Sequence, residues 1–144
     1  MTPLSSDKIH ASCVAIGGRG VLIEGPSGVG KSDLAVRLID RGALLVSDDY
    51  TAVERRAGTL FAAPPPTIAG RIEVRGVGIV ALEHTTGVPV ALLVTLGATP
   101  ERLPVPPPTR NLLGVDLSVV VMDGREASAP IKVEFALAQV NPPA

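Results

Sequence analysis

Aromatic side chains are nearly missing from this chain: it has no tryptophan, one tyrosine and two phenylalanines. Tyr50, Phe61 and Phe135 are too few to build a stacking platform for single-stranded nucleic acid. The core must then come from Val, Leu, Ile and Ala, which favours a sheet with helices over an aromatic-rich sandwich. Cysteine is also scarce. Cys13 stands alone, so no internal disulfide can form, and within the apolar run Cys13-Val-Ala-Ile16 it reads as a small buried residue. Excess charge is absent as well: a net charge of -1 exerts no long-range pull on nucleic acid or an anionic membrane. No apolar run approaches the ~18 residues of a membrane span, and the N-terminus has no signal-peptide h-region. The expectation is one cytoplasmic domain with neither nucleic acid nor membrane as a partner; its 144 residues suffice for a real core.

What the chain does have is Gly25-Pro26-Ser27-Gly28-Val29-Gly30-Lys31-Ser32, which meets the phosphate-binding pattern G-x-x-x-x-G-K-[ST] at every required position. Gly25 and Gly30 permit backbone angles that turn successive N–H groups inward around phosphate oxygens. Lys31 supplies a mobile cation for the β- and γ-phosphates, and the Ser32 hydroxyl is suited to ligate Mg²⁺. Gly20 to Glu24 reads as a buried strand leading in. Lys31 to Arg41, with Leu34, Ala35, Leu38 and Ile39 at helical spacing, reads as the helix leading out. Strand, loop and helix in that order are the context the motif requires, and the helix dipole favours an anion at its start.

The remaining elements follow from punctuation and periodicity. Residues 1–8 read as a loose start, Ile9 to Ile16 as a strand, and Gly17 to Gly20 as the turn between it and its neighbour. Gly42 is a helix cap and Ala43 to Ser47 a short apolar strand. Tyr50 to Arg55 and Thr59 to Ala62 form a hairpin, ended by Ala63-Pro-Pro-Pro66. Ile79 to Leu82, Val88 to Leu96 and Val115 to Met122 read as further strands. Residues 97–114 form a proline-rich loop holding Glu101, Arg102 and Arg110. Pro130 to Val140 reads as a closing helix with Ile131, Phe135 and Ala138 inward.

Asp48 and Asp49 follow the strand after the loop helix, and ligands in open α/β sheets sit beyond the carboxyl ends of strands. Neighbouring side chains on a strand point to opposite faces, so the two carboxylates take different jobs. One approaches the γ-phosphate as base or water positioner; the other holds metal or nearby backbone. Taken singly, His10 is an ordinary surface or core histidine, Glu73 a solvated strand residue partnered by Arg75, and Arg102 a loop residue.

Together these residues resemble one family. Gly20 to Ala35, Arg41-Gly42 and Leu45-Val46-Ser47-Asp48-Asp49 look like the catalytic domain of bacterial HPr kinase/phosphorylase. Ile72 to Ile79 is similar to that family's signature E-I-R-G-x-G-I, with Val74 for Ile. The resemblance is strong over residues 10–82 and fades afterwards.

The resemblance implies an α/β domain with a central mixed sheet and flanking helices, acting as a serine protein kinase that uses ATP and Mg²⁺. The acceptor is HPr or an HPr-like phosphocarrier protein, and the same site removes the phosphate by phosphorolysis. Carried over, residues 25–32 bind ATP, while Ser32 and Glu73 serve the metal. Asp49 takes the serine proton beside Asp48, and His10, 21 positions before Lys31, is the active-site histidine. Arg102 matches the family's later catalytic arginine loosely. The family's longer members carry an additional N-terminal domain for which this chain has no room, and a homo-oligomer, hexameric by resemblance, is expected. Gly25-Pro-Ser departs from the usual Gly-Asp-Ser, and Pro104 to Arg110 only approximates the loop used in dephosphorylation. The rival readings are a small-molecule kinase, for which no arginine-rich lid is visible, and a non-catalytic ATP-binding regulator.

Overall fold

The computed structural model describes residues 5–140. Its organising strand is β3 (Arg19–Glu24), buried at every interior position. Val21 and Ile23 face a cluster on one side of the sheet, whereas Leu22 joins Cys13, Ala15 and Val46 on the other. Burial on both faces explains the unbroken apolar run, where a half-exposed strand would alternate. The helix face is covered by α1 (Lys31–Asp40), which presents Leu34, Ala35 and Leu38 inward, and by α2 (Ala129–Ala138). Gly42 takes a positive φ of 111° just beyond α1, in line with its expected role at the helix end.

Strand direction gathers the chemistry at one end. β2 (Ser12–Ile16) lies antiparallel to both β3 and β4 (Leu44–Ser47), so β3 and β4 point the same way. β9 (Val88–Leu96) runs parallel to β3 and pairs on its other edge with β11 (Val115–Met122). The loop after β3, the acidic pair after β4, the end of β9 and the start of β2 therefore share one rim. The sheet continues from the beginning of β9 through β6 (Thr59–Ala63) to β5 (Thr51–Arg56), the expected hairpin. A separate hairpin, β7 (Arg71–Val74) with β8 (Gly78–Ala81), buries Ile72 in the helix-side core.

Four expectations need correction. Ser6–Ile9, running from the segment read as a loose start into the first residue of the expected strand, form β1, paired with β5; residues 1–4 lie outside the described part. The single strand expected over Ile9 to Ile16 is thus two, parted at His10 and Ala11, because β1 joins β5 while β2 joins β3 and β4. In the proline-rich segment, Thr109–Leu112 form β10 against β11. In α2 the inward residues are Ala129, Pro130, Val133 and Leu137, whereas Ile131, Phe135 and Ala138 face out. Both faces of that helix carry apolar residues at helical spacing, so periodicity does not choose between them.

Cys13 is fully buried, and burial pushes its thiol up to about 12, leaving no reactive thiolate at neutral pH. No helix among the described residues is long and apolar enough to cross a membrane.

Candidate active site

The Gly25–Ser32 loop leaves β3 against the end of β9. A Cβ at Gly25 would lie 2.7 Å from the Leu96 carbonyl oxygen, and one at Gly97 2.9 Å from Pro26 Cδ. Only glycine allows the two segments to come this close. Lys31, at the start of α1, is 8% exposed; its Nζ donates to the carbonyls of Gly25 (2.8 Å) and Pro26 (3.1 Å). The lysine therefore sits inside the curl of the loop.

Asp48 is the hub beneath this loop. It is 8% exposed. Its Oδ1 accepts from Ser32 Oγ at 2.6 Å and from Ser12 Oγ at 3.2 Å, and its Oδ2 accepts from the Glu73 amide at 3.0 Å. One carboxylate thus ties together α1, β2 and β7. Since the Ser32 hydroxyl donates its hydrogen to Asp48, the serine's lone pairs remain available to a cation.

Asp49 behaves differently. Its backbone is left-handed (φ 67°), and its amide donates to Ser12 Oγ at 3.1 Å. Aspartate tolerates this conformation better than most residues. The turn is closed by Tyr50 N donating to the Asp48 carbonyl at 2.7 Å and by the Ser47 hydroxyl donating to the Tyr50 carbonyl. The Asp49 side chain is 61% exposed and meets His10 Nε2 at 2.9 Å. His10 in turn stacks on Tyr50, with ring centroids 4.9 Å apart.

These groups line a cleft of about 580 Å³. One wall holds His10 and Asp49, the floor holds Ser27, Gly28, Gly30, Lys31 and Ser32, and the other wall is Glu73 with the β7–β8 turn from Val74 to Gly78; Val29 does not line it. The structure thereby brings together His10, Lys31, Ser32, Asp49 and Glu73, with Asp48 just below. Pro26 also sits at the loop base, through its carbonyl. Arg102 stays on the exposed segment after β9, outside the cleft lining. Sequence reasoning overlooked Ser12 and the turn at Gly76 and Val77 as a cleft wall. The pairing of Glu24 with Arg110 and Thr95 beside the loop was likewise unforeseen.

No cluster of three or more His, Cys, Asp or Glu side chains suited to a metal occurs among the described residues. Ser32 and Glu73 offer two hard oxygen donors to one cleft. That set fits Mg²⁺, which takes few protein ligands and completes its shell with phosphate oxygens and water.

Comparison with known proteins covers most of the chain. The family model for the HPr serine kinase C-terminal domain matches residues 3–139. The HPr kinase/phosphorylase of Mycoplasma genitalium is 33% identical over 150 residues, covering 90% of this chain and 48% of that protein. That of Chlorobaculum tepidum is 36% identical over 141 residues, covering 86% of this chain and 41% of that protein. A solved structure of the Hpr(Ser) kinase/phosphatase from Coxiella burnetii superposes with a TM-score of 0.79 at 28% identity, over 92% of this chain and 94% of that one. The chain spans about half or less of the length of the curated relatives it matches. Its mixed sheet, flanking helices and matched residues place it in the family of HPr serine kinase C-terminal domains.

Proposed function

We propose that this chain is a kinase domain that transfers phosphate from ATP to a serine of HPr or an HPr-like phosphocarrier protein. The observation that carries this reading is the linkage at the rim. Asp48 is bonded to Ser32 of the glycine loop, and the adjacent Asp49 faces the same cleft beside His10. Transfer of a phosphoryl group needs alignment and neutralisation of charge more than covalent chemistry from the protein. The loop N–H groups and Lys31 would cradle the phosphates, and Ser32 and Glu73 would hold Mg²⁺, whose charge offsets that of the phosphates when bound.

Asp49 accepts the hydroxyl proton as the serine oxygen–phosphorus bond forms and the bond to the ADP oxygen breaks. Its exposure suits an acceptor presented by another protein, and His10 holds the carboxylate in place. In reverse, inorganic phosphate attacks the phosphoserine, Asp49 returns the proton to the serine oxygen, and pyrophosphate leaves. The same reading makes the domain cytoplasmic, homo-oligomeric and a regulator of phosphotransferase-dependent carbon metabolism.

Incubation with radiolabelled ATP, HPr and a panel of metabolites tests the assignment. Label on an HPr serine supports it. Label on a metabolite replaces it with a small-molecule kinase, and nucleotide retention without transfer with an ATP-binding regulator.

A further inference from the structure

We propose that Ser12 is a positioning residue for phosphoryl transfer: its hydroxyl locks the Asp48–Asp49 turn so that Asp49 faces the cleft. The inference rests on the kinase reading above for its consequence, though not for its geometry. Ser12 opens β2 and is fully buried. Cys13 pairs with Ser47 across the β2–β4 ladder, so one step further Ser12 lies opposite Asp48. The neighbouring strand positions Cys13, Val14 and Ala15 are apolar and buried, and a hydroxyl at such a place is costly unless bonded.

Both of its capacities are used. A carboxylate accepts only, so Ser12 Oγ donates its one proton to Asp48 Oδ1 (3.2 Å); an amide donates only, so Ser12 Oγ accepts from Asp49 N (3.1 Å). One side chain therefore fixes the carboxylate of the first aspartate and the backbone of the second. Left-handed non-glycine residues persist where their surroundings over-determine them, and Ser12 adds to the Tyr50 and Ser47 bonds of the turn the one that holds the Asp49 amide itself. Because Asp48 Oδ1 also holds Ser32, the glycine loop and the proposed base are fastened to a common point. Ser12 touches no reacting atom, so its loss acts on turnover through Asp49 and leaves nucleotide attachment alone.

The test compares wild type, Ser12→Cys and Ser12→Ala by amide hydrogen exchange and by steady-state transfer from Mg-ATP to HPr. In Ser12→Ala the Asp49 amide should lose at least about tenfold in protection while amides of the β2–β3 ladder keep theirs. Its kcat should fall roughly 10- to 100-fold, the scale of a misplaced catalytic group, with KM for ATP within about twofold. Ser12→Cys, a weaker donor and acceptor, should fall between. A protected Asp49 amide in Ser12→Ala overturns the proposal, as does unchanged kcat or a general loss of protection along β2. Should wild type itself transfer nothing, the kinase reading fails, and amide exchange alone decides whether Ser12 holds the turn.

Discussion

Asp48 and Asp49 are chemically identical neighbours, yet they belong to two regions with opposite physics. Asp48 points beneath the glycine loop, almost without solvent, and accepts three hydrogen bonds from three elements. Asp49 points outward at 61% side-chain exposure, and His10 is the side chain that meets its carboxylate. A single backbone reversal, at φ 67°, separates them. Alternation along an extended strand would already send the two side chains apart; the left-handed turn instead puts one below the cleft and one at its mouth. The buried acid is thereby suited to hold structure, and the exposed acid to meet a substrate.

The largest expected effect comes from removing charge on the exposed side alone. Asn tolerates left-handed backbone as well as Asp does, so Asp49→Asn should keep the turn. Its kcat for serine phosphorylation should fall by about 10³-fold, a typical loss for a positioned proton acceptor, with nucleotide affinity intact by titration. Turnover equal to wild type would remove Asp49 from the chemistry. The buried side should respond in the opposite currency. Asp48→Ala strands the Ser12 and Ser32 hydroxyls and the Glu73 amide. A loss of about 3 kcal/mol is expected in urea unfolding, given 1–3 kcal/mol for each stranded group and incomplete additivity. Asp49→Asn should lie within about 0.5 kcal/mol of wild type in the same measurement. Equal destabilisation by the two variants would erase the distinction between the neighbours.

How far this arrangement was legible beforehand depended on the kind of contact. The glycine loop was readable because its pattern sets particular residues at fixed spacing, and β3, α1 and β4 followed from their apolar patterns. That the Asp48 and Asp49 side chains would part was expected from strand alternation, but β4 ends at Ser47 and the left-handed turn at Asp49 is what separates them. Ser12 was hidden because its partners lie 36 and 37 positions away, and a serine in an apolar run carries no mark of them. β1 was hidden for a different reason: Ser6-Asp7-Lys8 is a polar, exposed edge strand held by pairing with β5 rather than by burial. Edge strands of this kind read as loops. Arg102 was singled out by resemblance, and the structure leaves it on the exposed segment beyond the cleft.

Helix α2 tests whether burial ranks effects equally well far from any chemistry. Its two apolar faces are indistinguishable by periodicity, but Val133 is fully buried and Phe135, two residues on, is 67% exposed. Residue size alone would give the phenylalanine the greater weight. Area removed from water reverses that order, because a side chain already in solvent in the folded state gains little from folding. Val133→Ala should cost about 2 kcal/mol by loss of transfer energy and creation of a cavity. Phe135→Ser should shift stability by less than about 0.5 kcal/mol. Both are read as urea midpoints at several protein concentrations. A Phe135→Ser loss that grows with concentration would mean that a second copy covers this face in solution. A loss independent of concentration would place Phe135 against its own chain and overturn the orientation of α2.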